Sequence, residues 1–386
     1  MKRKVLSLFL ILILVLGLGA CGSASSGTGS SSADSASEDT SSDDEVLFTI
    51  GYPAMTATST AMEAIKLNRQ AVAEAFGGEL ITEEWDFSAE GTVSAVEKLI
   101  ERGCDGIIIT PTDESILPTI TSMCEEAGVY WAISMRTIED EEIKEIVYAS
   151  EYYVGYVYEP GVEIGNLLAQ AAVDAGCTTY ALLTASAGDT DATIREEGIA
   201  EIADAAGLEC VSTIRGLSDA TDATEAVESL IAAYPDLDCI IRVTSNVAGD
   251  GVAVCEAIEE AGKADDITFI SFNTEEGMEE YLENGVLDVA FADVNTFDSL
   301  LVATILCNVL VGTPCSDDKI EINLYYSEMS SLDQYENFNA YINTTDAALY
   351  TEEEIQELLM GISLEDLQTE IIDTYSIESV AARKEE

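Results

Sequence analysis

Any chemistry in this chain is done without histidine, which is absent from all 386 residues. That excludes Ser-His and Cys-His nucleophile pairs and every imidazole-bound metal. The chain has no G-x-x-x-x-G-K-[ST] phosphate loop, no G-x-S-x-G elbow and no cluster with metal-ligand spacing. Carboxylates are abundant instead, 74 Asp and Glu against 16 Lys and Arg, for a formal net charge of −58. The run Glu139–Glu142 lacks the alternating Asp/Asn and the Gly of a calcium loop and reads as a solvated turn. With acids this frequent, a glycosidase-type carboxylate pair cannot be told from chance. The expectation is a binding protein and not an enzyme, with no cofactor and no metal. A polyanion of this kind is repelled by nucleic-acid phosphates and anionic headgroups, so nucleic acid is excluded as a partner.

The scarce cations are more informative. Arg136 ends an apolar strand-like run, and Arg195 lies at the start of a helical pattern. A guanidinium offers five donors in a fixed fork, suited to hydroxyl pairs or a carboxylate. Arg215 and Arg242 read as solvated. Asn273, Asp293, Ser245 and Asn246 follow strand-like runs, where they serve a ligand or cap the next helix. Met55 and Thr56 lie in the loop after the first strand. Trp85, Trp131, Tyr152 and Tyr153 are candidate ring faces, with Trp131 assigned to the core because it sits mid-strand.

These positions recur because strand and helix alternate regularly from Val46. Met62, Ile65, Val72 and Phe76 share one helical face, and Val93, Val96, Leu99 and Ile100 another. Gly106-Ile-Ile-Ile109 is too apolar for a sheet with one wet face, which implies parallel strands covered on both sides. The strands outnumber what one open row takes comfortably. The expected fold class is therefore α/β, with two doubly wound parallel-sheet lobes joined by a hinge. The expected lobes are 46–149 plus 294–322 and 150–293 plus 323–386. Chain crossings are expected near Ala149–Glu151, Asp293 and Tyr325, with Ile146–Ala149 a strand and helices in the C-terminal segment. In such sheets ligands sit outside the carboxyl ends of the strands.

Lys2, Arg3 and Lys4, the apolar run Val5–Leu18 and Leu18-Gly19-Ala20-Cys21 mark residues 1–20 as a secretory signal peptide. The last four resemble the bacterial lipobox, which implies acylation (palmitate) of Cys21 and a membrane anchor on the outer face of the cell. Residues 21–45, rich in Ser, Gly and acids, read as a flexible tether. The other eight cysteines form no C-x-x-C pair, most lie in apolar runs, and buried free thiols are expected.

The order of these elements and loop residues, from about Val46 to Tyr326, resembles the type I periplasmic binding proteins, in particular the ribose/galactose-type sugar receptors of ABC importers. The resemblance rests on Arg102–Asp113, with its Thr110-Pro-Thr-Asp113 turn, and on Ile133-Ser-Met-Arg136. It rests also on Ile194-Arg195-Glu-Glu-Gly198, Phe272-Asn273 and Ala292-Asp293. It implies a monomeric receptor that closes on a small polar solute, a sugar or polyol, and delivers it to an ABC permease. A sensory receptor for a membrane kinase, or a nucleoside-like or zwitterionic solute, is the alternative. Three departures stand out: the first loop has Tyr52 as its single aromatic, Met135 replaces an acid, and Asn273 replaces an aspartate. Two carboxylate acceptors for sugar hydroxyls are thereby lost.

Overall fold

The computed structural model describes residues 46–55, 59–244 and 248–385. The expected signal peptide, Cys21 and the tether lie outside the described residues, as do Thr56, Ser245 and Asn246.

The first lobe begins as β1 (Thr49–Met55), α1 (Thr60–Ala75), β2 (Glu79–Trp85), α2 (Ala89–Glu101) and β3 (Gly106–Ile109). It continues through α3 (Leu117–Ala127), β4 (Tyr130–Ser134), α4 (Glu141–Ala149) and β5 (Tyr153–Tyr158). The second lobe runs α5 (Gly161–Asp174), β6 (Thr179–Thr184), α6 (Thr190–Ala206), β7 (Glu209–Arg215) and α7 (Ala220–Ala233). It ends with β8 (Cys239–Arg242), α8 (Asp250–Glu260), β9 (Thr268–Phe272), α9 (Glu279–Asn284) and β10 (Val289–Ala292). The chain then returns to the first lobe through α10 (Asn295–Leu310) and β11 (Ile320–Asn323), and back to the second as β12 (Ser327–Met329).

The sheets are ordered β11-β5-β4-β3-β1-β2 and β12-β10-β9-β8-β6-β7. Every pairing is parallel except β10 with β12. β12 runs antiparallel because the chain enters that edge from the other lobe without a crossover helix to reverse it. The central strands β3 and β8 are buried at every residue, as strands covered on both faces must be. Helix starts follow side-chain caps: Ser88 accepts from Gly91 N–H on α2, and Asp189 from Ala192 N–H on α6. Gly128 and Gly207 end α3 and α6 in the left-handed conformation.

Three expectations are corrected. The chain first leaves the opening lobe at Glu159–Pro160 and not near Ala149–Glu151, because β5 belongs to the first sheet beside β4. Ile146–Ala149 is helical: Val147 is buried while Ile146 is half exposed, which one face of a helix permits. Asp140 caps that helix, accepting from the N–H groups of Glu142 and Ile143, and Glu141 and Glu142 lie solvent-exposed in its first turn.

The third correction concerns the C-terminal segment, which packs on both lobes and not on the second alone. Tyr335 donates to the Glu275 carbonyl (3.0 Å) in the second lobe. Asn68 on α1 accepts from Leu349 N–H (2.8 Å), and Asn308 on α10 donates to the Leu359 carbonyl (2.9 Å). The rings of Phe297 on α10 and Tyr375 stack at 4.0 Å. One continuous apolar core runs from Ile50 and Ile108 through Leu300 and Ile355 to Met329 and Val380. Apolar burial of this extent, at roughly 25 cal/mol per Å², ties the segment to the body.

Candidate functional site

The carboxyl ends of the two sheets face a shared cavity of about 590 Å³, within the size range of small-molecule sites. The first lobe contributes Tyr52, Met55, Trp85, Phe87, the turn Thr110–Asp113, Met135, Arg136 and Tyr158. The second lobe and the crossings contribute Asp189, Asp191, Arg195, Glu159, Asp293 and Tyr326. Of the residues singled out from sequence, Met55, Trp85, Arg136, Arg195 and Asp293 therefore meet in one place.

Arg195 is aimed by the packing of α6 on α5. A Cβ on Gly198 would lie 2.2 Å from the Val162 carbonyl oxygen, and one on Gly165 would lie 2.1 Å from the Arg195 carbonyl oxygen. Only two glycines let these backbones approach so closely. The guanidinium then lies over the Phe272 ring at 4.0 Å, and Nη1 reaches the Val243 carbonyl at 3.4 Å. On the facing lobe, Arg136 donates from Nη1 to the Met135 carbonyl (2.7 Å). Among the described residues, neither arginine has a carboxylate within ion-pairing distance, whereas seven other Lys or Arg pairings are formed. Two guanidiniums without a carboxylate in ion-pairing distance thus face one cavity from opposite lobes.

Below them lies a buried polar network that ties the crossings together. The Glu159 carboxyl accepts from Val294 N–H (2.9 Å), which links the first crossing to the second. Tyr326, on the third, donates to the carbonyls of Glu159 (3.2 Å) and Pro160 (3.4 Å). Burial, reinforced by the Asp293 and Asp298 charges, pushes the Glu159 carboxyl well above the usual range. Burial likewise raises Asp298 to about 7, although Ser134 and Arg69 oppose it. Asp298 accepts from the Ser134 hydroxyl and from Met135 N–H (3.0 Å). Arg69 donates to Ser134 (2.6 Å) and covers the Tyr52 ring at 4.0 Å.

Backbone strain gathers at the same place. Among the described residues, three non-glycine residues have positive φ: Phe87 (59°), Met135 (59°) and Asn273 (63°). Each lies just past the carboxyl end of a strand. Asn tolerates that region, but Phe and Met in it cost of order 1–3 kcal/mol each, strain that characteristically persists at functional sites.

The Asn273 side chain is committed to Asp293: Nδ2 donates to its carboxylate and Oδ1 accepts from its N–H, both at 3.4 Å. Desolvation raises Asp293 despite the nearby Arg195 charge. Tyr152 does not reach the cavity. It sits just before β5 at the opposite end of the sheet, its ring 5.3 Å from that of Tyr130. Arg242 is not solvated but fully buried against Asp250, also donating to Ser271 (3.0 Å). Arg215 is solvent-facing and pairs with Glu196. Trp131 is core, as expected.

Sequence reasoning missed Tyr158, Glu159 and Tyr326 at the cavity. The alternation Tyr153-Val-Gly-Tyr-Val-Tyr158 was the available strand signal, and placing a strand there puts Glu159 at its end.

Comparison with known proteins agrees with this architecture. The ribose import binding protein of Bacillus subtilis is 25% identical over 226 residues, covering 58% of this chain and 70% of that protein. The D-ribose/D-allose-binding protein of Pseudomonas aeruginosa is 22% identical over 206 residues, 53% of this chain and 62% of its own. The structure of a periplasmic ribose ABC transporter protein from Conexibacter woesei superimposes with a TM-score of 0.63 at 15% identity, covering 77% of this chain and 97% of that one. Residues 50–304, more than half of the chain, match the family described as "Periplasmic binding protein domain". With its two parallel-dominated lobes, three crossings and a cavity at the facing strand ends, the chain belongs to the type I periplasmic binding proteins.

Proposed function

We propose that this protein is an extracytoplasmic solute receptor, lipid-anchored through Cys21, that captures a sugar or polyol between its lobes and delivers it to an ABC permease. The observation that carries the reading is the pair of guanidiniums, Arg136 from one lobe and Arg195 from the other, at one cavity with no carboxylate partner among the described residues. Such donors stabilise the closed state only when a ligand accepts from both, and that differential affinity is what drives closure. The relatives' names, with ribose and allose in them, support a sugar as the solute. Asp293 and Thr137, both lining the cavity, are available for hydroxyl groups, and the acidic field at the rim disfavours anions at long range.

A thermal-shift and calorimetric screen of the purified protein against sugars, polyols, nucleosides and amino acids tests this. A ligand at 100 times its Kd adds about 2.7 kcal/mol of stability. Arg136→Ala and Arg195→Ala should each abolish that gain with little change in the Tm of the free protein. Unaltered affinity in both variants refutes the site. A nucleoside-like or zwitterionic solute is the second reading, favoured by Met135 and Asn273 standing where two carboxylates would serve hydroxyls; the same screen separates the two. Labelling with a palmitate analogue, lost in Cys21→Ser, tests the anchor.

A further inference from the structure

The cavity needs an apolar face for the ring of a sugar, and its aromatic side chains are unequally available. Tyr52 is 6% exposed and has its ring covered by the Arg69 guanidinium. Trp85 is 5% exposed, its indole N–H donating to Thr92 (3.0 Å). Tyr326 turns its ring edge-on to Phe272 and spends its hydroxyl on the first crossing. Phe87 is different: it lines the cavity, is 48% exposed, and holds φ at 59°.

Local structure fixes it there. Asp86 accepts from both the N–H (3.2 Å) and the hydroxyl (2.6 Å) of Ser88, and Ser88 caps α2, so the residues on either side of Phe87 are tied to one another. The Phe87 ring rests against Trp85, with centroids 4.7 Å apart and planes tilted by 48°. Trp85 is in turn pinned to α2 through Thr92. A large apolar side chain is thus held in a backbone conformation it disfavours and in water it disfavours, by a support that is itself rigid. Neither feature serves the free protein.

We infer that Phe87 is a specificity-determining contact: its exposed face packs against the C–H face of a cyclic sugar or cyclitol, taking the part that Tyr52, covered by Arg69, cannot play. This rests on the reading of the protein as a sugar receptor. A π-face bears partial negative charge and meets ring C–H hydrogens well, and a rigid plate adds affinity with little ordering cost. An open-chain polyol presents no such face, so it gains less.

The test measures binding of D-ribose, D-allose, myo-inositol and open-chain ribitol to the full chain, wild type and variants, by calorimetry. Phe87→Ala should weaken the bound cyclic ligand by on the order of tenfold and narrow its advantage over ribitol, whereas Phe87→Trp should retain the affinity. Phe87→Gly, which relieves the positive φ, should match Phe87→Ala in affinity while its Tm stays at or above that of Phe87→Ala. A wild type that binds a cyclic ligand together with a Phe87→Ala that binds it equally overturns this inference alone. A fall in Tm with affinity intact, in both the Ala and Gly variants, marks Phe87 as a packing residue and overturns it too. A wild type that binds none of the four overturns the sugar reading and this inference with it.

Discussion

Gly198→Ala is the sharpest probe of how the second lobe aims its arginine. The added methyl would sit 2.2 Å from the Val162 carbonyl oxygen and 3.0 Å from Gly165 Cα. An ordinary carbon–oxygen contact is about 3.3 Å or more, so α5 and α6 must part by about 1 Å. Overpacking of that size costs about 1–3 kcal/mol, which for a protein this large is a Tm decrease of about 2–10 °C. Arg195 lies three residues before Gly198 on the same helix and moves with it. Sites tolerate roughly 0.5 Å of displacement in a hydrogen-bonding group, so sugar affinity should fall at least tenfold. Differential scanning calorimetry reads the first effect without any ligand, and titration of the sugar that binds wild type reads the second. Glu197→Ala, a surface change one residue away, should stay within about 0.5 kcal/mol of wild type. A Gly198→Ala variant with wild-type Tm and affinity would refute the claim that this glycine contact sets the arginine.

Two further outcomes follow from the buried charges. Asp250→Ala removes the carboxylate facing the fully buried Arg242 guanidinium and should destabilise by about 3–5 kcal/mol, measured by urea unfolding. Asp298 is raised to about 7 when folded, so the folded state holds its proton where the unfolded chain has released it. Stability from this group is present below the ordinary aspartate range and is lost as pH rises from about 4 to 7, by up to about 4 kcal/mol. Glu159 is shifted in the same direction and adds to the same trend. The difference between wild-type and Asp298→Asn unfolding free energies across that range should show the slope, and parallel profiles would contradict the buried titration.

Glu159, one of the raised carboxyls, also ties together the crossings between the lobes. Glu159, Val294 and Tyr326 join the three crossings through hydrogen bonds made by the Glu159 carboxyl and the Tyr326 hydroxyl, both of which also line the cavity. The C-terminal segment, bonded to α1 and α10 on one side and to the Glu275 loop on the other, also joins the two lobes.

What sequence alone determined is whatever depends on local period. Gly106-Ile-Ile-Ile109 had to be a strand covered on both faces, and the alternation with amphipathic helices required two α/β lobes. Histidine's absence and the scarcity of cations pointed to Arg136 and Arg195 before any coordinates. Tertiary structure alone decided which elements become neighbours. Arg242 reads as solvated until Asp250 and Ser271, eight and twenty-nine residues away, fold around it. Tyr152 and Glu159 bracket the same strand, and only the pairing of β5 with β4 and β11 sends one to the far end of the sheet and the other to the cavity. The strained φ of Met135 likewise lies where its N–H meets Asp298 and Val157, contacts made across the fold. Periodicity reports how much of a side chain is covered; which atoms cover it is set by contacts distant in the chain, and in this protein those contacts make the site.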